Sequence, residues 1–419
     1  MGLWTIRGGK RLYGEVRVQG SKNGALPILA ATLVHKGITV LERVPDITDV
    51  EHTLLILQRL GCRVKREGER VTVDSRSASP EKIPFDEMLR VRASVLFLGA
   101  MTARFGHGAV PIPHAGRFGP RPLDLHVDAL TRLGAELTFT DDGLLCDGRE
   151  MTGGDVVLAY PSVGATEQAM LAACGCSGVT ILRNCAKEPE VADLAAFLRK
   201  MGMHITGEGT DTMVLRRGKP ASVVHHILQP DRIGAATLLC AGAVCGGELK
   251  LNEVISSHLH PILDGLEEMG CNIKIRENSV TLISDGALWA PACEIVTAPY
   301  PGFPTDMQPL LLAACLRADG VTVMRERVLA GRLVHAKQLR RFGADITLTD
   351  DCGAVVVGVP KLTAANVQAR DLRGGAALLI AALQAEGESV IVDAGHIGRG
   401  YARLDTTLRS LGADLKYTD

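Results

Sequence analysis

A short motif occurs six times along this 419-residue chain. Each copy passes through a Leu-Gly, Met-Gly or Phe-Gly pair into alternating polar and apolar residues, as in LGCRVKREGERVTVD from Leu60 and MGCNIKIRENSVTLI from Met269. The motif glycines stand at positions 61, 134, 202, 270, 343 and 412, in steps of 73, 68, 68, 73 and 69 residues. Such a regular period indicates an architecture built from repeated units.

Each repeat contains two kinds of helix. The stretch before the motif glycine, such as VEHTLLILQRL, has one apolar face, and the glycine supplies the left-handed position that ends a helix. The other helix, such as AATLLCAGAVC, is apolar on all sides, which predicts that it is buried. The alternation after the glycine predicts strands. We therefore expect six units, each with two helices and about four strands, and three units in each of two domains.

Composition and charge exclude several classes of protein. The formal net charge is −1, whereas a general nucleic-acid or membrane-surface binder needs a basic excess. No apolar run reaches the ~18 residues of a membrane-spanning helix, and the first residues lack a signal core. The eleven cysteines lack zinc spacing, and the closest pairs lie in apolar runs, which favours structural thiols. We expect a soluble, cytoplasmic protein with no nucleic-acid or membrane partner and no metal.

Polar and charged residues recur where the apolar helices begin. They are Lys22 and Asn23, Arg90 and Arg92, Ser162, Gly164 and Thr166, Asp231 and Arg232, Thr305 and Asp306, and Asp371 and Arg373. Helix N-termini offer free N–H groups and partial positive charge, which suit phosphates and carboxylates. A single Ser, Thr or Asp there, such as Thr166 or Thr305, is usually only an N-cap. Charges that repeatedly precede buried helices instead favour a binding cleft between the two domains.

Two glycine-containing loops add positive charge. One is PHAGRFGPRP at 113–122, with Arg117 and Arg121, and the other is GHIGRGYARLD, with Arg399. Arginine matches carboxylate and phosphate oxygens with a planar fork of donors. The pattern predicts one or two ligands with several negative charges. The chain has neither a P-loop nor a strand-linked G-x-G-x-x-G, so an ATPase or a dinucleotide oxidoreductase is excluded.

Seven motifs occur in one order along the whole chain: GSKNGALPILAA, RPLDLH, SVGAT, PDRI, FPTDMQ, DLR and HI-x-RGY. Together they resemble the UDP-N-acetylglucosamine 1-carboxyvinyltransferases of the enolpyruvyl transferase family, from about residue 5 to the end. The sister enzymes that act on shikimate phosphate have a nucleotide-free acceptor, which would not call for SVGAT or RPLDLH.

The resemblance implies an α/β fold, a two-domain inside-out α/β barrel of six βαβαββ repeats. One domain comprises residues 21–229, with three repeats and the 113–122 loop, and the other comprises residues 1–20 plus 230–419. The implied reaction transfers the enolpyruvyl group of phosphoenolpyruvate to the 3′-hydroxyl of UDP-N-acetylglucosamine by addition and then elimination of phosphate. This is the first committed step of peptidoglycan synthesis, which serves cell wall biogenesis, cell shape and cell division. Both substrates are small molecules, no cofactor is implied, and we expect a monomer.

The resemblance also assigns residues to roles. Asp306 is implied as the general base at the 3′-hydroxyl, with Lys22 and Arg399 as further catalytic residues. Phosphoenolpyruvate is bound by Lys22, Arg92, Arg121 and Arg399. The UDP-sugar is bound by Asn23, Arg92, Arg121, Leu123, Asp124, Leu125, Ser162, Val163, Gly164, Asp306, Val328, Arg332, Asp371 and Arg373.

The chain departs from the family pattern in the 113–122 loop. The family usually has a cysteine five residues before the arginine of RP, and this chain has Gly116 there. In the family that cysteine is tied to product release and to proton transfer at C3 of phosphoenolpyruvate, and fosfomycin alkylates it. Two interpretations of His114 are open. It is a proton donor that replaces the cysteine, since the pKa of a histidine side chain lies near neutrality, or it is an ordinary surface histidine.

Three hypotheses follow from Gly116. The chain is an active UDP-N-acetylglucosamine enolpyruvyl transferase with altered loop behaviour, a paralogue that acts on another nucleotide or phosphorylated acceptor, or a non-catalytic ligand-binding homologue. Lys22, Asp306 and Arg399 argue against the third hypothesis, because a protein that only binds ligands needs no general base.

Overall fold

The chain forms two compact units in this computed structural model. Unit 1 is Met1–Gln19 with Pro230–Asp419, and unit 2 is Gly20–Gln229. The structure describes residues 2–80, 83–112, 123–350 and 352–418.

Unit 2 has three sheets among its described residues. The first sheet contains, in spatial order, β13 (Val223–Ile227), β3 (Ile38–Glu42), β5 (Arg70–Asp74) and β4 (Arg63–Glu67). The second contains β11 (Met203–Thr206), β12 (Thr212–Arg217), β10 (Val179–Arg183) and β9 (Gly154–Val157). The third contains β6 (His107–Val110), β8 (Leu144–Asp147) and β7 (Glu136–Phe139).

Three apolar helices pack against one another in unit 2, and most of their residues are buried: α1 (Lys22–Val34), α4 (Leu96–Phe105) and α6 (Val163–Ala173). The other helices among the described residues of unit 2 are α2 (Thr48–Arg59), α3 (Phe85–Met88), α5 (Asp124–Arg132) and α7 (Pro189–Met201), and the 3₁₀ helix Arg92–Val95 precedes α4. The apolar surface of the central helices explains their position, because every side of them gains by leaving water.

Unit 1 repeats this plan. One four-stranded sheet contains, in spatial order, β22 (Asn366–Ala369), β24 (Glu388–Asp393), β1 (Gly2–Arg7) and β25 (Asp414–Thr418). Another contains β15 (Asn272–Arg276), β16 (Ser279–Ser284), β14 (Gly247–Asn252) and β2 (Leu12–Arg17). A further one contains β17 (Ile295–Val296), β18 (Val321–Arg325), β20 (Gly353–Val357) and β19 (Asp345–Leu348). A smaller sheet pairs β21 (Leu362–Thr363) with β23 (Ala385–Glu386).

Three buried helices again pack together in unit 1: α8 (Arg232–Cys245), α10 (Gln308–Ala314) and α12 (Leu372–Gln384). The remaining helices of its described residues are α9 (His260–Glu268), α11 (Ala336–Leu339) and α13 (Leu404–Ser410). Shorter 3₁₀ helices cover Ser256–His258, Cys315–Arg317, Arg332–His335, Arg340–Phe342 and Ile397–Arg399.

The repeat is visible in strand order. In the chain order β9-α6-β10-α7-β11-β12, the first two strands are parallel and the last two complete the sheet in antiparallel pairing. Two repeats take their first strand from a distant segment: β13 pairs with β3, and β2 pairs with β14, both in parallel. Helices at the centre with sheets around them, three repeats to a unit, confirm the predicted fold class.

All six motif glycines have positive φ, between 84° and 111°. A residue with a Cβ pays roughly 1–2 kcal/mol in this left-handed conformation, so glycine is the residue that ends these helices at least cost. The predicted role of the motif glycine is thereby confirmed. Among the helices of the described residues, none combines the length and the hydropathy that a membrane crossing requires.

Candidate active site

Lys22 begins α1 in unit 2. The Ser21 hydroxyl caps this helix, because its Oγ accepts a hydrogen bond from the Gly24 N–H at 3.1 Å. The Lys22 side chain is buried, and its Nζ lies 2.8 Å from Oδ2 of Asp49, a buried residue in the first turn of α2. A buried charge is tolerated when it is paired, so Asp49 keeps Lys22 charged and fixes its direction. Asn23, the next residue, is half-buried.

The residues predicted at the UDP end lie on two neighbouring helices of unit 2. Ser162 caps α6, since its Oγ accepts from the Ala165 N–H at 3.3 Å. Helix α5 packs against α6, and a Cβ at Gly164 would lie only 3.1 Å from Cε1 of His126 on α5. The structure therefore brings together two sets of predicted residues, Leu123, Asp124 and Leu125 at the start of α5 and Ser162, Val163 and Gly164 at the start of α6.

Thr166 is not a cap. Its hydroxyl donates to the Ser162 carbonyl at 2.8 Å and accepts from the Ala186 N–H at 3.1 Å. Arg92 is half-buried at the start of its 3₁₀ helix, whereas the more exposed Arg90 lies 3.8 Å from Glu87. The predicted loop residues His114, Gly116, Arg117 and Arg121 lie outside the described residues.

The Asp306 carboxylate of unit 1 contacts two arginines. It accepts hydrogen bonds from Nη2 of Arg332 and from Nη2 of Arg373, the latter at 3.1 Å. Arg332 also donates from Nε to the Thr305 carbonyl at 3.1 Å. The structure thus joins three residues that the sequence analysis named separately.

Arg373 is held by several partners. It is buried, and its Nη1 donates to the Tyr401 hydroxyl at 3.3 Å, which in turn lies 2.8 Å from the Thr237 hydroxyl. Burial by itself lowers the pKa of the Arg373 guanidinium, but Asp306, Tyr401 and Asp231 together outweigh it, and the pKa lies above the usual value. Burial raises the pKa of Tyr401, so its hydroxyl stays neutral and its oxygen accepts from Arg373.

Two further acids shape the backbone in unit 1. Asp371 caps α12, because Oδ1 accepts from the N–H groups of Arg373 at 3.1 Å and Gly374 at 2.9 Å. Asp393 accepts from the N–H groups of His396 at 2.7 Å and Ile397 at 3.2 Å. It thereby shapes the loop whose 3₁₀ helix ends at Arg399, which is half-buried.

The backbone around Thr305 is fixed by Glu326. The Thr305 hydroxyl donates to Glu326 Oε2 at 2.9 Å, while the N–H of Val328 donates to Oε1 at 2.8 Å. The expectation that Thr305 is an N-cap is therefore wrong, because its hydroxyl is used by Glu326 and the cap position of α10 is Met307.

His335 is buried and binds the backbone of Arg332. Its Nδ1 lies 2.9 Å from the Arg332 carbonyl, so this nitrogen carries the hydrogen and donates it. Burial, aided by the positive charge of Arg332, lowers the pKa of His335 to about 4, which keeps the ring neutral at pH 7. Nε2 is buried and has no hydrogen-bond partner among the described residues.

Comparison with known proteins supplies the family. The family described as EPSP synthase (3-phosphoshikimate 1-carboxyvinyltransferase) matches residues 6–408 of the chain. UDP-N-acetylglucosamine 1-carboxyvinyltransferase 2 of Caldanaerobacter subterraneus subsp. tengcongensis is 42% identical over 415 residues, which cover 99% of each chain. The chain belongs to the enolpyruvyl transferase family. A second enolpyruvyl transferase, UDP-N-acetylglucosamine 1-carboxyvinyltransferase of Geobacter metallireducens, is 39% identical over 98% of both chains.

Solved structures of enolpyruvyl transferases share the fold. The crystal structure of the enolpyruvyl transferase NikO from Streptomyces tendae has a TM-score of 0.90 and 28% identity, and the match covers 100% of this chain and 99% of that one. EPSP synthase from Acinetobacter baumannii, at 17% identity and a TM-score of 0.73, shares the fold over the full length of both chains. The resemblance found in the sequence is confirmed, and the chain is a transferase of the 1-carboxyvinyl class.

Three residues of this enolpyruvyl transferase were missed in the sequence: Asp49, Glu326 and Tyr401. Tyr401 lies inside the HI-x-RGY motif, so its place in the motif was a usable signal. Asp49 and Glu326 have no such signal in the sequence, because the burial of an acidic residue in a polar stretch becomes apparent only in the folded structure. Within the described residues, no group of three or more His, Cys, Asp or Glu side chains could hold a metal ion.

Proposed function

We propose that this enolpyruvyl transferase transfers the enolpyruvyl group of phosphoenolpyruvate to the 3′-hydroxyl of UDP-N-acetylglucosamine and releases phosphate. Support comes from relatives about 40% identical over nearly the full length, which are named for this substrate. The proposal includes the first committed step of peptidoglycan synthesis, carried out in the cytoplasm by a monomer that uses no cofactor.

The environment of Asp306 carries the proposal. Addition requires a base for the 3′-hydroxyl, and the guanidinium groups of Arg332 and Arg373 favour the ionised form of Asp306, which is the form that accepts a proton. The same two groups reduce the basicity of the carboxylate. Proton transfer to Asp306 is therefore easiest after the bound substrate has neutralised part of the positive charge of the two arginines.

The reaction proceeds in two balanced steps. The 3′-oxygen loses its proton to Asp306 and bonds to C2 of phosphoenolpyruvate, while C3 takes a proton from solvent and becomes a methyl group. In the second step C3 returns a proton to solvent, the double bond between C2 and C3 re-forms, and the bond from C2 to the phosphate oxygen breaks with its electron pair on the departing phosphate, which takes the proton held by Asp306. Fixed cations around the phosphate and carboxylate stabilise the charge that develops on those oxygens.

We assign those cations to Lys22, Arg92, Arg121 and Arg399. Lys22 is charged and oriented by Asp49 before any ligand arrives, which lowers the entropic cost of binding phosphoenolpyruvate. Arg399 follows glycine at 398 and precedes glycine at 400, so little side-chain bulk obstructs a ligand beside it.

The UDP-sugar is assigned to the starts of α5 and α6 in unit 2 and to the arginines around Asp306 in unit 1. The first N–H groups of α6, beyond the Ser162 cap, carry the partial positive charge that suits a diphosphate. Val328, Asp371, Arg373 and Asn23 complete the proposed set.

Gly116 favours a second candidate, transfer to a different nucleotide or phosphorylated acceptor. The loop position lacks the family's usual cysteine, and the enolpyruvyl transferase NikO matches this chain over its full length. The same chemistry at Asp306 would serve such an acceptor.

Phosphate release distinguishes the two candidates. The purified chain is incubated with phosphoenolpyruvate and either UDP-N-acetylglucosamine or a panel of other nucleotides. Asp306→Asn should abolish release, and Asp414→Asn, at an exposed position on β25, should leave it unchanged. Turnover restricted to a different acceptor would contradict the first proposal and support the second.

A further inference from the structure

Glu326 follows β18 directly, and its side chain is only 2% exposed. Its carboxylate accepts four hydrogen bonds. Oε1 accepts from the Thr297 hydroxyl and from the N–H groups of Val328 and Leu329, each at 2.8 Å, and Oε2 accepts from the Thr305 hydroxyl at 2.9 Å. A buried carboxylate with this many donors is stable in the interior and has a fixed orientation.

The two oxygens hold different parts of unit 1. Oε1 stabilises the turn after β18, and Thr297 reinforces this because its hydroxyl oxygen also accepts from the Arg327 N–H at 2.8 Å. Oε2 reaches Thr305, the residue immediately before Asp306. The same turn leads to Arg332, whose Nε returns to the Thr305 carbonyl at 3.1 Å. Thr305 is thus held by both its hydroxyl and its carbonyl.

We propose that Glu326 is a positioning residue for the transfer reaction. Its Oε2 fixes Thr305, and with it the Asp306 carboxylate, while its Oε1 fixes the turn that carries Val328 and leads to Arg332. This role rests on the proposed function of Asp306 as general base. Glu326 itself contacts no reacting atom in this scheme, and it acts through the backbone on either side of it.

The chemistry of the contacts explains why glutamate is required. All four partners are donors, and an ionised carboxylate is an acceptor at both oxygens. Glutamine has the same shape, but an N–H₂ donor replaces one of the two acceptor oxygens. That donor would face either the Thr305 hydroxyl or the donors that now bind Oε1, so the hydrogen bonds on that side of the side chain would be lost.

The test separates the two oxygens by substitution. Thr305→Val removes only the hydroxyl bound to Oε2, and Thr305→Ser keeps a hydroxyl there. Glu326→Gln disturbs either end, and Glu294→Gln is the matched control because Glu294 makes an exposed pair with Arg325 at the neighbouring strand. For each variant, kcat and KM are measured by phosphate release, the Kd of UDP-N-acetylglucosamine by calorimetry, and the position of Asp306 by crystallography.

We expect Thr305→Val to lower kcat about 10- to 100-fold while the Kd of UDP-N-acetylglucosamine stays nearly unchanged, because a misplacement of about 1 Å has an effect of this size. Thr305→Ser should retain most of the turnover. Glu326→Gln should lower kcat and also weaken nucleotide binding, since it affects the turn with Val328. Glu294→Gln should behave like the parent.

Different outcomes would overturn the inference and the proposed function. If the parent releases no phosphate with UDP-N-acetylglucosamine, the proposed function fails, and the crystallographic distance between Asp306 and Arg373 in Thr305→Val and Glu326→Gln still decides the inference. An unmoved Asp306 with a parental kcat in Thr305→Val would refute positioning by Glu326. Reduced thermal stability with parental kcat and Kd would show a purely structural role and would refute it as well.

Discussion

Arg373 Nη2 lies 3.1 Å from Asp306 Oδ2, although 67 positions separate the two residues in the chain. The contact joins the start of α12 to the segment before α10, and both helices belong to the buried centre of unit 1. Because the helix starts are fixed by tight packing, Asp306 and its cationic partner Arg373 have a defined separation before a ligand binds.

Replacement of Arg373 by lysine should impair turnover. Arg373 donates to Asp306 and to Tyr401 with different nitrogens, and a lysine ammonium cannot reproduce that planar fork. We expect Arg373→Lys to lose about 1.5–3 kcal/mol of transition-state stabilisation, the usual contribution of a hydrogen bond to a charged group. Steady-state phosphate release measures this. Arg341→Lys, at an exposed position, is the control, and equal kcat/KM for both variants would contradict the role of Arg373.

His335 should make unit 1 sensitive to acid. Its folded pKa is about 4, below the ordinary value of 6.5, so between these values the unfolded chain binds a proton that the folded chain does not. The contribution of neutral His335 to the free energy of unfolding is fully present above pH 6.5 and falls as the pH approaches 4, with a total loss of the order of 3 kcal/mol.

The check uses His335→Asn, whose amide can still donate to the Arg332 carbonyl but does not titrate. Denaturant unfolding of the parent and the variant is compared from pH 7.5 to pH 4.5. The free energy of unfolding of the parent should fall relative to that of the variant as the pH decreases. A difference that stays constant with pH would show that His335 is not the titrating group.

Glu167 should act in the opposite direction. It is fully buried in α6, Oε1 has no hydrogen-bond partner among the described residues, and burial together with Glu190 and Glu188 raises its pKa well above 4.5. The folded chain therefore retains a proton that the unfolded chain loses, and stability decreases as the pH rises above about 4.5.

Glu167→Gln should consequently stabilise the protein at pH 7.5 and have little effect near pH 4. Thermal unfolding at the two pH values measures this, with Glu136→Gln, on exposed β7, as the control. A stabilisation that is equal at both pH values, or a loss of stability at pH 7.5, would contradict a protonated Glu167.

Fosfomycin should form no covalent adduct with this enolpyruvyl transferase. Gly116 provides no thiol, and alkylation needs a thiolate, whereas burial raises the pKa of Cys174 and of Cys315 to about 12. Intact-mass spectrometry after long incubation should show the unmodified chain, and Gly116→Cys should gain one adduct. An adduct on the parent chain would refute the expectation.

The sequence predicted much of the fold because its signals are local. The six glycines and the apolar helices follow from helix periodicity, and both were found as expected. The parallel pairing of β13 with β3 and of β2 with β14 was not predictable, since it joins segments about 200 residues apart with no mark of their partnership.

The site was predictable in its residue types more than in its contacts. Asp306 and Arg373 were named from motifs and Arg332 from the family resemblance, but their mutual contact depends on how α10 and α12 pack. The cap assignments show the same limit on a smaller scale: Ser162 rather than Thr166 caps α6, because the backbone angle at each position decides which hydroxyl reaches a free N–H. Asp49 and Glu326 became visible only once their buried partners were known.

We propose that this chain transfers an enolpyruvyl group to UDP-N-acetylglucosamine with Asp306 as base. The most direct measurement is the rate of phosphate release from phosphoenolpyruvate with this nucleotide sugar, accompanied by mass spectrometry of the product. Phosphate and an enolpyruvyl-UDP-N-acetylglucosamine product should form in equal amounts, and both should be lost in Asp306→Asn. Absence of both with the parent chain, or full turnover by Asp306→Asn, would contradict it.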